Sequence, residues 1–395
     1  MSRTFVDDLP GLLHLASDRM VDLRHDLHAH PELSFEEHRT TEVITTRLDE
    51  LGWTVAPCPT ATGAVAVLRG AMPGRRIMLR ADIDALPVNE ERDLPFRSVI
   101  DGVMHACGHD VHTAALLGVA DVLARYRESL AGEYTLVFQP AEEGLGGARA
   151  MVEGGLFERH PVDAIVGVHV TSLAPLGLVG TRAGIFMSEV TALTVEIHGR
   201  GGHGAMASSV GNVVLAASAL APRVGEIVAG LTYEGTDCAC SIGVLHAGTA
   251  SNVVPRRAVL RGTLRTFTPE QQNAALRRLD ELLAEIEAIY VVTCVLTLSE
   301  SAPAVRNDEG VTARATAAAA FAPRVSSVIA VPPLTPSDDV SEFLELVPGC
   351  YLMVGGALAD GTSGMHHSGE FAIDDAACAL VAGVLASAAV DLAQG

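Results

Sequence analysis

Tyr134-Thr135-Leu136-Val137-Phe138-Gln139 is a short, largely apolar run that breaks at once into Pro140-Ala141-Glu142-Glu143-Gly144. Such runs, bounded by polar or glycine-rich turns, predict buried strands. Residues 76–82 and 164–170 read the same way. Between and around them, residues 35–51 and 110–126 carry helical periodicity. Strands that alternate with helices predict an α/β layer around a mostly parallel sheet. Functional groups in such sheets collect where strands end, which places Asp82, Glu142, Glu143 and His169 together.

From about residue 186 the order of elements changes. A strand at 191–198 precedes a helix at 212–228, and strands follow at 240–246 and 258–266. The next helix opens with Thr268 as N-cap, Pro269 at its first position and Gln271 completing a capping box. A last strand is expected at 289–298. The order βαββαβ predicts a compact split-βαβ, ferredoxin-like α+β unit inserted into the larger domain. The expected division is 1–185 and 299–395 for the catalytic domain and 186–298 for the insert. A strand at 350–354 and a closing helix at 374–392 complete the chain.

Composition narrows the classes of function. The chain has 395 residues, 49% of them hydrophobic and only 4% aromatic, so its core rests on Ala, Val and Leu. The 27 basic residues are all arginine and face 48 acidic ones, for a net charge of −21. A field of that sign repels nucleic acid and anionic membrane surfaces. Seven cysteines without a CxxC pair do not form a disulfide scaffold. The first fifteen residues lack the basic-then-apolar pattern of a secretory leader. No uninterrupted apolar stretch reaches the roughly 18 residues of a membrane span. The expected location is the cytoplasm.

The densest chemistry lies in Met104-His105-Ala106-Cys107-Gly108-His109-Asp110-Val111-His112. A thiolate and an imidazole two positions apart can reach one metal ion or two adjacent ones. Further donors sit at the other strand ends: Glu142, Glu143 and His169, with His366 and His367 in a Gly/Ser-rich loop. Taken singly, each has a bland reading as a salt-bridged carboxylate or a strand-end histidine. Together they form a donor set for one or two divalent ions and a candidate hydrolase site. Of the two adjacent carboxylates, one would bind metal and the other would act as base. His25, His28, His30, His105 and His112 are read as structural. Of His366 and His367 only one is expected to face the metal, because neighbours in an extended loop point apart.

These motifs together resemble the M20 metallopeptidase group, within it the amidohydrolase branch of hippurate hydrolases, N-acyl-amino-acid amidohydrolases and auxin-conjugate hydrolases. The resemblance spans nearly the whole chain. It includes Arg24-His25-Asp26-Leu27-His28-Ala29-His30-Pro31-Glu32, Leu79-Arg80-Ala81-Asp82-Ile83-Asp84-Ala85-Leu86-Pro87 and His105-Ala106-Cys107-Gly108-His109-Asp110. It continues through Phe138-Gln139-Pro140-Ala141-Glu142-Glu143-Gly144, Gly201-Gly202-His203-Gly204-Ala205, Asn252-Val253-Val254-Pro255 and His367-Ser368 with Phe371.

The resemblance implies roles. Cys107, His109, Glu143, His169 and His367 would bind two divalent ions per subunit (zinc, manganese, nickel or cobalt), with Cys107 shared between them. Glu142 would be the general base, and Asp84 would orient a ligand. His203 would reach the active site of a partner subunit and stabilise the oxyanion, which implies a homodimer. Asn252 and Arg265 would bind the substrate carboxylate, a role that suits a guanidinium in any case. The implied activity is hydrolysis of the amide of N-acyl amino acids. Alternatives are a dipeptidase or carboxypeptidase on the same scaffold, or a silent homologue that binds without turnover. The chain departs from the family pattern at Ala207-Ser208, Asn212-Val213, Ser337-Asp338-Asp339-Val340 and Gly369. These positions lie near where the acyl or amino-acid part would bind, and they leave the ligands and the base in place.

Overall fold

The computed structural model describes residues 3–144 and 146–394. It divides into two compact units: Met1–Phe186 with Arg306–Val331 and Asp339–Gly395, and Met187–Val305 with Pro332–Asp338.

The first unit is built on an eight-stranded sheet. Its strands run Thr54–Ala56, Ala64–Arg69, Ala131–Gln139, Met72–Asp82, Ala164–Pro175, Gly349–Ala357, Leu178–Thr181 and Ser327–Ala330 across the sheet. The four central strands pair in parallel. Towards one edge the pairings Thr54–Ala56 with Ala64–Arg69, and Ala64–Arg69 with Ala131–Gln139, are antiparallel. Leu178–Thr181 is antiparallel to Gly349–Ala357. The sheet is therefore mixed around a parallel centre, and Ser327–Ala330 pairs in parallel with Leu178–Thr181 at the other edge. Connection length explains one reversal: only Leu176 and Gly177 separate Ala164–Pro175 from Leu178–Thr181. A link that short reverses the chain, whereas parallel neighbours need a crossover of a dozen or more residues.

Helices Arg3–Ala29, His109–Tyr126 and Ala376–Ala393 pack together beside this sheet. Every residue of His109–Tyr126 up to Leu123 is buried, as is nearly all of Ala376–Ala393. Small side chains let these helices approach closely. A Cβ on Gly118 would lie 2.1 Å from the sulfur of Met20, so any larger residue there would have to displace the Met20 side chain. Among the described residues one helix, Ala376–Ala393, is long and apolar enough to cross a membrane, and 89% of its apolar window is buried inside the protein. Ser387 and Asp391 break its apolar run.

A buried ionic cluster anchors the start of His109–Tyr126. Asp110 accepts from Arg24 Nε at 3.2 Å and from His28 Nδ1 at 2.9 Å, while His28 Nε2 lies 3.2 Å from Glu90. Burial disfavours a charged His28, but Asp110 and Glu90 override it and raise its pKa from 6.5 to about 9. A raised pKa contributes stability in full below pH 6.5, and that contribution is lost as pH rises through 9. The shift corresponds to a contribution on the order of 3 kcal/mol. His28→Leu is therefore expected to flatten this alkaline loss, as measured by urea unfolding across the pH range. His25 stacks on Phe96 and bonds Asp375, and His30 Nδ1 bonds the Asp26 carbonyl, so these histidines serve the fold.

The expected helix at 35–51 starts late, at His38. Phe35 adopts a left-handed φ of 64°, and the buried Glu37 turns its carboxylate back to the Phe35 amide.

The second unit carries a four-stranded antiparallel sheet in the order Ala239–Ala247, Arg257–Thr266, Glu189–His198, Thr293–Ala302. Numbered along the chain this is 2-3-1-4, the arrangement that βαββαβ connectivity gives. Its helix Val213–Leu220 is capped by Asn212, whose side chain accepts from the amides of Val214 and Leu215, and a 3₁₀ stretch carries it on to Val228. Helix Pro269–Tyr290 is capped by Thr268. The Gln271 side chain accepts from the Phe267 amide, one residue earlier than a capping box requires. That helix continues to Tyr290 and closes on Val291 at φ 55°, so the last strand begins at Thr293 rather than 289.

Candidate metal centre

Parallel registry brings the ends of Met72–Asp82 and Ala131–Gln139 level, with Asp82 opposite Gln139. The chain leaves the first towards Asp84 and the second towards Glu142 and Glu143. His169 lies within Ala164–Pro175, which runs five residues past the expected end at 170. Helix His109–Tyr126 starts between them after Gly108, at φ 92°. A Cβ there would meet Val170 at 2.5 Å, so glycine alone allows Cys107 and His109 to flank that turn.

Asp84 organises the acidic turn. Its two carboxylate oxygens accept the amide N–H of Glu142 at 3.1 Å and of Glu143 at 3.0 Å, and the hydroxyl of Ser34 at 2.7 Å. His109 Nδ1 bonds the Asp84 carbonyl at 2.9 Å and lies 3.3 Å from its carboxylate. A second buried carboxylate, Glu37, accepts the amide of Ala141 at 2.9 Å, where the backbone has a positive φ of 53°. Glu37 and Ser34 are parts of the site that the sequence reading missed. No periodicity or spacing marks them, because the partners that tie them to the site, Asp84 for Ser34 and the Ala141 amide for Glu37, are distant in the chain.

The candidate donors come together. Cys107, His109 and His169 each place a ligand atom within 4.8 Å of the others, and so do Cys107, Glu143 and His367. Cys107 is common to both groups. His109, Glu142 and Glu143 form a third such group. The hydrogen bonds fix which ring nitrogens are available. His109 and His169 each commit Nδ1 to a backbone carbonyl, of Asp84 and Val170 respectively. Their Nε2 lone pairs are thereby turned to the centre. His112 also lies near Asp82 and His109, yet both its nitrogens are engaged. Nε2 accepts the Val170 amide at 2.8 Å and Nδ1 bonds Asp82 at 2.5 Å. Its ring is therefore taken up by Asp82 and the Val170 amide.

A divalent ion fits this donor set. His109 Nε2 and Glu143 Oε1 are buried without a hydrogen-bond partner and lie 4.0 Å apart. Leaving such buried atoms without a hydrogen bond is costly, and a shared cation removes the cost. The field favours positive charge. Burial opposes protonation of His109, but Asp82, Asp84 and Glu143 outweigh it and raise its pKa to about 10. Asp82 is held well below the usual carboxylate range: burial works against this, and His109, Arg80 and His112 prevail.

His366 and His367 do not point apart as an extended loop would require. His367 takes a left-handed φ of 62°, with its amide bonded to the Ala106 carbonyl. Its Nε2 then lies 3.4 Å from Glu143, while His366 Nδ1 lies 3.7 Å from Cys107 Sγ.

The remaining candidates belong to the second unit. His203 and Asn252 are exposed neighbours: Gly202–His203 pairs with Val253–Val254, and the Gly204 amide donates to the Asn252 carbonyl at 2.9 Å. Arg265 lies on strand Arg257–Thr266 and donates to Ser337 Oγ at 2.9 Å.

Known proteins share this arrangement of chain. The sequence pattern of peptidase family M20/M25/M40 matches residues 78–391. N-acetyl-L-cysteine deacetylase of Bacillus subtilis is 36% identical over 368 residues, covering 93% of this chain and 86% of the relative. Thermostable carboxypeptidase 1 of Saccharolobus solfataricus is 34% identical over 377 residues, 94% of each chain. Among solved structures, the Bacillus subtilis YXEP protein, a dinuclear metal binding peptidase from the M20 family, superposes with a TM-score of 0.77 at 33% identity, covering 95% of this chain and 98% of its own. With its clustered thiol, imidazole and carboxylate donors, the chain belongs to peptidase family M20/M25/M40 and is a metal-dependent hydrolase that acts on amide or acyl bonds of amino-acid derivatives.

Proposed function

We propose that the protein hydrolyses the amide bond of N-acyl amino acids, releasing a carboxylic acid and a free amino acid. The observation that carries this reading is the Glu142–Glu143 turn. Both amides are fixed on the Asp84 carboxylate, and both side chains come within 4.8 Å of His109. Adjacent carboxylates held this way can divide their work. Glu143, with Cys107, His109, His169 and His367, would hold a pair of divalent ions with Cys107 common to both. Bound there, the ions would polarise the scissile carbonyl and acidify the attacking water. Glu142 takes the proton from that water at a carboxylate oxygen and returns it to the nitrogen of the departing amine. Asn252 and Arg265 bind the substrate's free carboxylate. His203 of the partner subunit donates a hydrogen bond to the oxyanion in a homodimer. Seven free cysteines support a reducing compartment, the cytoplasm.

The carboxypeptidase relative favours a second reading, in which the acyl group is itself an aminoacyl residue. Rates on N-acetyl and N-benzoyl amino acids and on dipeptides, measured side by side, decide between the two. Acyl amino acids are expected to exceed dipeptides at least tenfold in kcat/KM, a difference of about 1.4 kcal/mol in transition-state binding. The reverse order would support the peptidase. Metal uptake without hydrolysis of any of them would support a silent binder.

A further inference from the structure

His366 stands beside Cys107, yet its hydrogen bonds bar it from a ligand's role. The backbone amide of Ser172 points at His366 Nε2 from 3.3 Å, and an amide can only donate. Nε2 therefore spends its lone pair on Ser172. In the neutral imidazole the single proton then resides on Nδ1, and Nδ1 faces Cys107 Sγ at 3.7 Å. The ring is held in this pose by Phe371, whose centroid is 4.8 Å away, and by Thr171 Oγ1, 3.4 Å from Nε2. His169 presents the opposite case at the same sulfur. Its Nδ1 bonds the Val170 carbonyl, so a bare Nε2 lone pair meets Cys107 Sγ at 3.4 Å. One imidazole offers the sulfur's surroundings a lone pair, and the other offers a proton.

We infer that His366 is a positioning residue whose Nδ1–H donates a hydrogen bond to the Cys107 thiolate and so tunes how strongly that sulfur binds metal. A hydrogen bond to a thiolate withdraws electron density from the sulfur and fixes its direction. Partners of this kind change metal affinity by about 10–100-fold when removed. With both sites filled, a sulfur common to two donor groups would share its charge between two ions, so a donor at that sulfur acts where the site is most sensitive. The inference rests on the reading of Cys107 as a metal ligand.

The test uses the full-length protein stripped of metal and reloaded with cobalt(II), whose thiolate-to-metal charge-transfer absorption reports on the sulfur. His366→Phe keeps a ring beside Phe371 and removes the donor; His366→Gln keeps an N–H donor. The phenylalanine variant is expected to bind as many cobalt ions per chain as the parent. Its charge-transfer band should move to longer wavelength, because a sulfur that no longer shares its density with Nδ1–H gives it up more readily to the metal. The glutamine variant should return the band towards the parent position. Should the phenylalanine variant fail to fold, His366→Leu gives the same readings. Loss of one cobalt per chain would make His366 a ligand and overturn the inference, as would an unmoved band at full occupancy. A parent protein without any thiolate band would overturn the assignment of Cys107 as well, whereas a parent band that the variants leave in place overturns this inference alone.

Discussion

Glu142→Gln is expected to retain the parent's metal content and lose at least about 10²–10⁴-fold in kcat, the range that a positioned general base supplies. The substitution changes little else. The amide of residue 142 still donates to Asp84 Oδ1, so the turn that aims Glu143 keeps its anchor. An uncharged carboxamide of nearly the same shape cannot accept the proton of the attacking water or hand it to the departing amine. The two readouts separate the roles of the adjacent residues: Glu143→Gln should lower metal content itself. If Glu142→Gln turned over at near-parental rates with its metal in place, the proton would have another carrier and the assignment of Glu142 would fail.

Asp84→Ala is expected to damage both stability and metal binding. Three donors converge on this carboxylate: the amides of Glu142 and Glu143 and the hydroxyl of Ser34. Asp84 itself is 1% exposed. Each buried donor left without an acceptor costs about 1–3 kcal/mol. Loss of the two amide bonds alone therefore lowers unfolding free energy by roughly 2–6 kcal/mol in a denaturant titration. The acidic turn loosens at the same time, and metal affinity falls about 10–100-fold, as it does when a ligand's supporting partner is removed. Asp84→Asn keeps one acceptor oxygen and is expected to fall between the parent and alanine. Equal metal affinity in all three proteins would show that the turn is held by Glu37 and the Ala141 amide instead.

Much of this architecture is legible in the chain because it is written in local pattern. The strand at 134–139 and its neighbours carry short apolar runs, and the βαββαβ order of the second unit follows from periodicity and the cap at Thr268. The helix Arg3–Ala29 was equally legible. Its buried Phe5, Leu9, Leu13, Ala16 and Met20 recur at three- and four-residue spacing, a helical stripe no less regular than the others. The mixed sheet was less so, since strand direction depends on tertiary pairing as well as on sequence pattern.

At the site the division falls between donors and their settings. Cys107, His109, Glu143, His169 and His367 stand out by residue type, and the fold brings them together in overlapping groups. Three features stayed hidden: the late helix start at His38, the positive φ at Ala141 and the positive φ at His367. Each depends on a backbone conformation that these residues adopt only because distant groups hold it, such as Glu37 at Ala141 and the Ala106 carbonyl at His367. The rule that neighbouring side chains point apart failed at His366 and His367 for that reason.

Stripping the protein with a chelator and titrating it back with a single divalent metal, while following bound metal and amide hydrolysis in the same samples, bears on the whole scheme. Activity is expected to be absent in the stripped protein, to rise with added metal and to level off at two ions per chain. Glu142→Gln should take up the same two ions without activity. Full hydrolysis by the metal-free protein, or saturation of the parent without two ions bound, would contradict a paired metal centre built on Cys107.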